Sequence, residues 1–210
     1  MTKSQQRITD FGEVYTSERE VTAMLDLVKE ETQRIESRFL EPACGNGNFL
    51  IEVLRRKLHQ VSARYSRSQY DYEKYCIVAA SSIYGIDILE DNVSECISRL
   101  SQYIFDEHLR VTKKEDVKFK KVIRFILSRN IIIGDATSLK IPNSETPIVF
   151  SEWNFIGGGK VKRTDYTLSN LIAYQPFEGD SLFSDLGEEA FIPQPIKSYD
   201  VCNIGDICDD

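Results

Sequence analysis

Three acids stand where an apolar run gives way to a turn. They are Glu41 in Arg38-Phe-Leu-Glu-Pro-Ala-Cys-Gly-Asn-Gly-Asn-Phe-Leu50, Asp87 in Tyr84-Gly-Ile-Asp-Ile88, and Asp135 in Asn130-Ile-Ile-Ile-Gly-Asp-Ala136. A carboxylate at a strand end can accept both hydroxyls of a ribose, which suits Asp87, or a hydrogen bond from an exocyclic amine, which suits Asp135. Glu41 is followed by Pro42, Ala43, Cys44 and a tight Gly45-Asn46-Gly47 turn. Glycines there let backbone approach a ligand, and free N–H groups at the following helix start receive polar or anionic groups. The third glycine of a dinucleotide fingerprint is absent, because Leu50 occupies its place, so NAD is disfavoured. An acid ahead of the turn favours a ligand with a cationic end.

Positioning three such acids together requires alternating strands and helices. Ser17 and Glu20 have the spacing of a capping box, and Val21, Met24, Leu25, Val28 and Ile35 predict an amphipathic helix over about residues 18–35. The first strand and the glycine turn follow, then a helix from about Asn48 to Val61. A tyrosine-rich insertion over 62–80 reads more readily as a packed helix than as a stacking surface for nucleic acid. Residues 82–87 form the second strand, and Leu89 to Ile104 the next helix. A lysine-rich segment then leads into a further helix. Residues 130–135 give the third strand and 146–150 the fourth, with a short helix near 168–174. This alternation predicts a doubly wound, mostly parallel α/β sheet. Residues 1–177 are expected to form one domain, and 178–210 an acidic extension, weakly structured or packed against it.

Composition sets bounds. The chain has 210 residues and a net charge of −7. Residues 178–210 hold nine acids and one lysine, which leaves 25 bases against 24 acids elsewhere, so the body does not repel nucleic acid. Five scattered cysteines and two histidines, without a Cys-x-x-Cys pair, argue against a metal site and for free thiols in a reducing cytoplasm. No apolar run reaches membrane length, and no signal peptide is expected.

The segment Glu-Pro-Ala-Cys-Gly-Asn-Gly-Asn-Phe resembles the cofactor motif of S-adenosylmethionine-dependent N6-adenine DNA methyltransferases. The resemblance covers residues 7–155 and is strongest at 7–21, 39–50 and 82–93. It implies a Rossmann-like class I methyltransferase fold and S-adenosylmethionine as cofactor, whose methionine moiety is the cationic end facing Glu41. It assigns cofactor binding to Glu41, Pro42, Ala43, Cys44, Gly45 and Gly47, the ribose to Asp87, adenine packing to Ile88, and the adenine amine to Asp135, beside Ala136. Asp10-Phe-Gly-Glu-Val-Tyr-Thr-Ser-Glu-Arg-Glu-Val21 is similar to the family's tenth motif and implicates Tyr15 and Thr16 over the methionine end. The resemblance also implies DNA as a partner, a restriction–modification setting, and a protein partner that supplies target recognition.

The family's catalytic motif is Asn or Asp, then Pro-Pro and an aromatic, and it follows the fourth strand. No Pro-Pro occurs in this chain. Ser151, Glu152 and Trp153 stand at that place: Ser151 and Glu152 as acceptors of an amine hydrogen bond, Trp153 or Phe155 as a stacking ring. Three readings stay open on the sequence: an adenine-specific methyltransferase or a subunit of one, a catalytically degenerate fold acting as a cofactor- or DNA-binding regulatory subunit, and a methyltransferase for another substrate.

Overall fold

The computed structural model describes residues 16–173 and 193–208. Three short strands form a parallel sheet in the order β1-β2-β3: β1 (Phe39–Glu41), β2 (Ile83–Asp87) and β3 (Ile131–Ile133). Their registers pair Glu41 with Gly85 and Asp87 with Ile133, so all three strands point their C-terminal ends the same way.

The helices follow from the predicted signals with one change. Ser17 caps α1 (Glu18–Asp26) through the reciprocal box with Glu20. The expected helix to residue 35 breaks at Leu27 and Val28, and α2 (Lys29–Gln33) follows. The break has a cause on the neighbouring helix, where Arg56 donates to the Thr22 carbonyl and to Asp26 and so terminates α1. Helix α3 (Asn48–Tyr65) starts at the glycine turn. The insertion is α4 (Gln69–Ser81), capped by Ser68, with Tyr72 fully buried and Tyr65 stacked on Tyr75 at 3.8 Å between centroids. Helices α5 (Glu90–Thr112) and α6 (Val117–Asn130) complete the helical layer.

Strand alternation explains where the two cores lie. Phe39, Ile83 and Ile131 point to one face and join a cluster that contains the buried residues of α1, α3, α4, α5 and α6. Tyr84, Ile86 and Ile132 point to the other face and meet Ile148, Phe150 and Leu168. The long helices therefore cover one face of the sheet, and a loop, a strand and the short α7 (Leu168–Ala173) cover the other. Among the described residues the architecture is a mixed α/β fold with a three-stranded parallel sheet, compatible with the expected Rossmann-like fold.

The expected fourth strand is a further correction. Strand β4 (Val149–Ile156) does not join the parallel sheet but forms an antiparallel hairpin with β5 (Lys160–Thr167). Short strands β6 (Lys197–Ser198) and β7 (Cys202–Asn203) add to β5. Gly157-Gly158-Gly159 is the hairpin turn, with φ of +76° at Gly158 and +72° at Gly159. The chain leaves β3 at Gly134, whose missing Cβ makes room for Ile148, and descends across the second face. Phe150 meets Tyr84 edge to face, and Glu152 reaches Arg38 at the start of β1. No helix among the described residues is long and apolar enough to cross a membrane.

Candidate functional site

The glycine turn is built by its two positive-φ glycines and by contacts from β2 and α5. Gly45 sits at φ +52° and Gly47, which caps α3, at φ +89°. Both angles lie in the left-handed region that other residues enter at a cost. A Cβ on Gly47 would stand 2.6 Å from the Cys96 sulfur, whereas a Cβ on Gly45 would have nothing within 4 Å. Gly45 thus faces open space and Gly47 faces the protein. Gly85 lets the turn settle on β2, since a Cβ there would crowd Cys44 and Leu50 at about 3 Å.

Asp87 ties the turn to the second strand. Its Oδ2 accepts the Gly45 N–H at 2.9 Å, and its Oδ1 accepts the Leu89 N–H at 2.9 Å and the Asn92 amide at 3.1 Å. The Cys44 N–H donates to the Ile86 carbonyl, and the Gly134 N–H to the Asp87 carbonyl. These bonds bring the ends of all three strands into one edge, where Glu41 and Asp87 meet the turn and Asp135 follows the end of β3. Ile88 stands beside Asp87 as a 44% exposed isoleucine. Asp135 accepts the Thr137 N–H at 2.8 Å, which holds its carboxyl below the usual aspartate range. Ala136 packs against the second cluster.

Glu41 differs from the other two acids. Like Asp87 and Asp135 it makes no ion pair among the described residues, but its hydrogen bond, from the Ala43 N–H, is long at 3.4 Å, and burial raises its pKa. Pro42 and Ala43 are exposed, while Cys44 is buried beneath the turn. Thr16 closes the other side, where its carbonyl accepts from Asn48 at the start of α3. Tyr15 lies outside the described residues.

Ser151, Glu152 and Trp153 are not brought to this edge. Ser151 is buried, donates to Asp165 at 2.7 Å, and receives the Arg163 guanidinium at 3.0 Å. Glu152 is paired with Arg38 at 2.6 Å. Trp153 is buried on Phe125 and donates to Asn130, whose amide holds the carbonyls of Ser81 and Ile83 at the start of β2. All three stand at the opposite end of the strands, because β4 runs down the sheet face instead of up along its edge.

Two residues that shape the site carried no signal in the sequence. Arg99 on α5 donates to the Asn46 carbonyl at 2.7 Å and to the Asn48 side chain at 2.9 Å, clamping the turn onto the helix. Asn92 orients Asp87. With Glu95 and Cys96 they form one face of α5, and that spacing could have been read only with the helix's orientation in hand.

The family model of the MmeI DNA-methyltransferase domain matches residues 15–152, more than half of the chain. The matched span holds the parallel sheet, the glycine turn and the three strand-end acids, and ends inside β4. No curated protein and no solved structure matches the chain.

Proposed function

Because the chain belongs to the MmeI DNA-methyltransferase domain family, we propose that it binds S-adenosylmethionine at the glycine turn and serves methyl transfer to the exocyclic amine of adenine in DNA. The observation that carries this reading is Glu41. A half-buried carboxylate that no cation pairs with among the described residues, at the mouth of an open glycine turn, fits a ligand that brings its own positive charge. The remaining residues fit the same ligand. Asp87 receives ribose, Ile88 offers an apolar surface to adenine, Asp135 accepts the adenine amine, and the resemblance assigns Tyr15 and Thr16 to the methionine end.

When bound, the cofactor supplies an electrophilic methyl group on a sulfonium. The chain's own residues orient it. Glu41 pairs with the ammonium, Gly45 leaves room for close approach, and Asp87 fixes both the turn and the sugar. We assign residues 1–177 to a Rossmann-like class I methyltransferase domain and 178–210 to its extension. In support, β6 and β7 lengthen the β5 sheet and Ile204 and Ile207 enter the main core. DNA is the substrate in this reading, and a protein partner supplies target recognition.

The degenerate, regulatory alternative is favoured by one observation, the burial of Ser151 and Trp153. Titration calorimetry with S-adenosylmethionine and with its demethylated product tests the cofactor reading. Absence of heat at millimolar ligand, with the protein folded, would sink it.

A further inference from the structure

Helix α6 has a charge pattern that the cofactor site does not use. Its 14 residues carry Lys118, Lys120, Lys121, Arg124 and Arg129 and no acid. Elsewhere exposed cations sit one turn from an acid on their own helix: Arg34 with Glu31, Arg55 with Glu52, and Arg110 with Glu107. Such pairs suit a face that meets only water. The ion pairs of Lys118 and Lys120 come from outside α6, from Asp206 and Glu115.

The buried side of α6 is Phe119, Val122, Ile123, Ile126, Leu127 and Asn130. Lys118, Lys121, Arg124 and Arg129 fall on the opposite side, and all four are exposed. From Lys118 to Arg129 the row runs about 17 Å at the helical rise, the length of about five base-pair steps of a DNA duplex. Two of the four are held in place. The Arg124 guanidinium lies 5.0 Å from the centre of the Phe105 ring, and that of Arg129 lies 5.2 Å from the centre of Phe125. Side chains rested on rings lose less freedom when they grip a ligand. An exposed pair such as Lys118–Asp206 is weak enough for a phosphate to compete for the lysine.

The cofactor edge has the opposite sign. Glu90, Asp91 and Glu95 are exposed on α5 just past Asp87. Helix α6 ends at the other end of the strands, where Asn130 holds the Ser81 and Ile83 carbonyls. We propose that the row Lys118, Lys121, Arg124 and Arg129 is a binding surface for the phosphate backbone of duplex DNA, blind to sequence and separate from the cofactor edge. The choice of DNA as the polyanion rests on the family reading, and the surface itself does not. Each cation neutralises a phosphate and releases a counterion, so the grip is steep in salt. It keeps the chain on DNA between encounters with a target base.

The test uses the full chain and a fluorescein-labelled duplex of arbitrary sequence, read by anisotropy between about 50 and 200 mM salt. The logarithm of affinity should fall against that of salt with a slope of about −3 to −4. Arg124→Gln with Arg129→Gln should flatten the slope by about two units and weaken low-salt binding by about tenfold or more, at an unchanged melting temperature. Lys118→Gln with Lys121→Gln gives the same reading should the arginine pair fail to fold. Arg34→Gln with Arg55→Gln removes as many charges from α2 and α3 and should keep the parent slope. Three results would overturn the proposal: no duplex binding at about 50 mM salt and 100 μM protein, α6 variants that lose no more than the Arg34 and Arg55 pair, or tighter binding of polyglutamate than of duplex. The first means that no backbone grip exists, the second that net charge alone sets it, and the third that the row takes an acidic protein. Calorimetry with S-adenosylmethionine on the same samples keeps the two readings apart. Cofactor binding without DNA binding removes the α6 surface alone, and DNA binding without cofactor binding removes the reading of the glycine turn.

Discussion

Asp87 has about four acceptor positions, as any carboxylate does, and the protein already fills three of them. Its Oδ1 is taken by Leu89 and Asn92, so in the proposed cofactor complex a ribose hydroxyl would be received at Oδ2, beside the bond to Gly45. The acid is a latch on the glycine turn, and in that proposal a ligand group as well. Asp87→Ala should weaken S-adenosylmethionine binding by roughly 1–3 kcal/mol, the scale of a lost hydrogen bond to a charged group; equal affinity in calorimetry would remove Asp87 from the site. Glu41 gives a pH test with a definite sign. Burial raises its pKa, so as pH falls through that raised range the carboxylate is protonated earlier than an ordinary glutamate. A cationic ligand binds the ionised form, so affinity should rise with pH through this window and then level off. Glu41→Gln should flatten that profile, and an unchanged slope would show that another group sets it. Glu41 and Asp87 were legible in the sequence because each ends an apolar run. Asn92 and Arg99 were not, because a polar residue inside a helix does not announce which face it lies on.

The glycine turn and the buried Lys57 hold the elements in register. Lys57 on α3 is fully buried, and its ammonium donates to the carbonyls of Arg34, Ile35 and Ser37 and to the Ser82 hydroxyl. It pins the approach to β1 against the start of β2. Burial pushes its pKa down to about 7, while the unfolded chain keeps its proton to about 10. The unfolded state therefore binds more protons between these values, and stability gains as pH rises through the window. Lys57→Met should lose that slope. It should also cost at least about 1–3 kcal/mol near neutral pH, since buried carbonyls lose their donor; chemical denaturation at pH 7 and pH 9 reads both. The two turn glycines make a second contrast at this scale. Gly45→Ala meets only the left-handed backbone penalty of about 1–2 kcal/mol, whereas Gly47→Ala also drives a methyl into the Cys96 sulfur. Thermal melts should rank Gly47→Ala the less stable, and Cys96→Ala should recover part of its loss; the reverse order would mean the turn rearranges freely. Capping chemistry made the start of α1 readable from Ser17 and Glu20. The break after Asp26 was not readable, because its cause is Arg56, thirty residues away.

At the scale of the whole molecule, the direction of one strand decides what the chain can do alone. The fourth strand was expected over 146–150, and β4 runs over Val149–Ile156, so only its start was legible. Its pairing was not, because alternation fixes a face and leaves the partner open. The partner is set by the Gly157-Gly158-Gly159 turn and by the buried Arg163–Asp165 pair, which accepts Ser151 into its network. Once β4 folds back on β5, Trp153 becomes a core ring instead of a stacking surface, and the sequence-based assignment of a base to it loses its geometry. Methyl transfer needs an acceptor held about 3 Å from the amine and in line with the donor. The described chain presents no such group beside Glu41. The isolated protein is therefore expected to bind S-adenosylmethionine but transfer little or no label from the tritiated cofactor to adenine-containing duplex DNA. Trp153→Ala separates this view from a catalytic tryptophan. It should lower stability by roughly 3–5 kcal/mol, the cost of emptying a large aromatic site, while cofactor affinity per folded molecule stays near wild type. Robust labelling by the wild-type chain alone, lost in a Trp153→Ala protein that still melts at the wild-type temperature, would mean that β4 turns its tryptophan to the DNA after all.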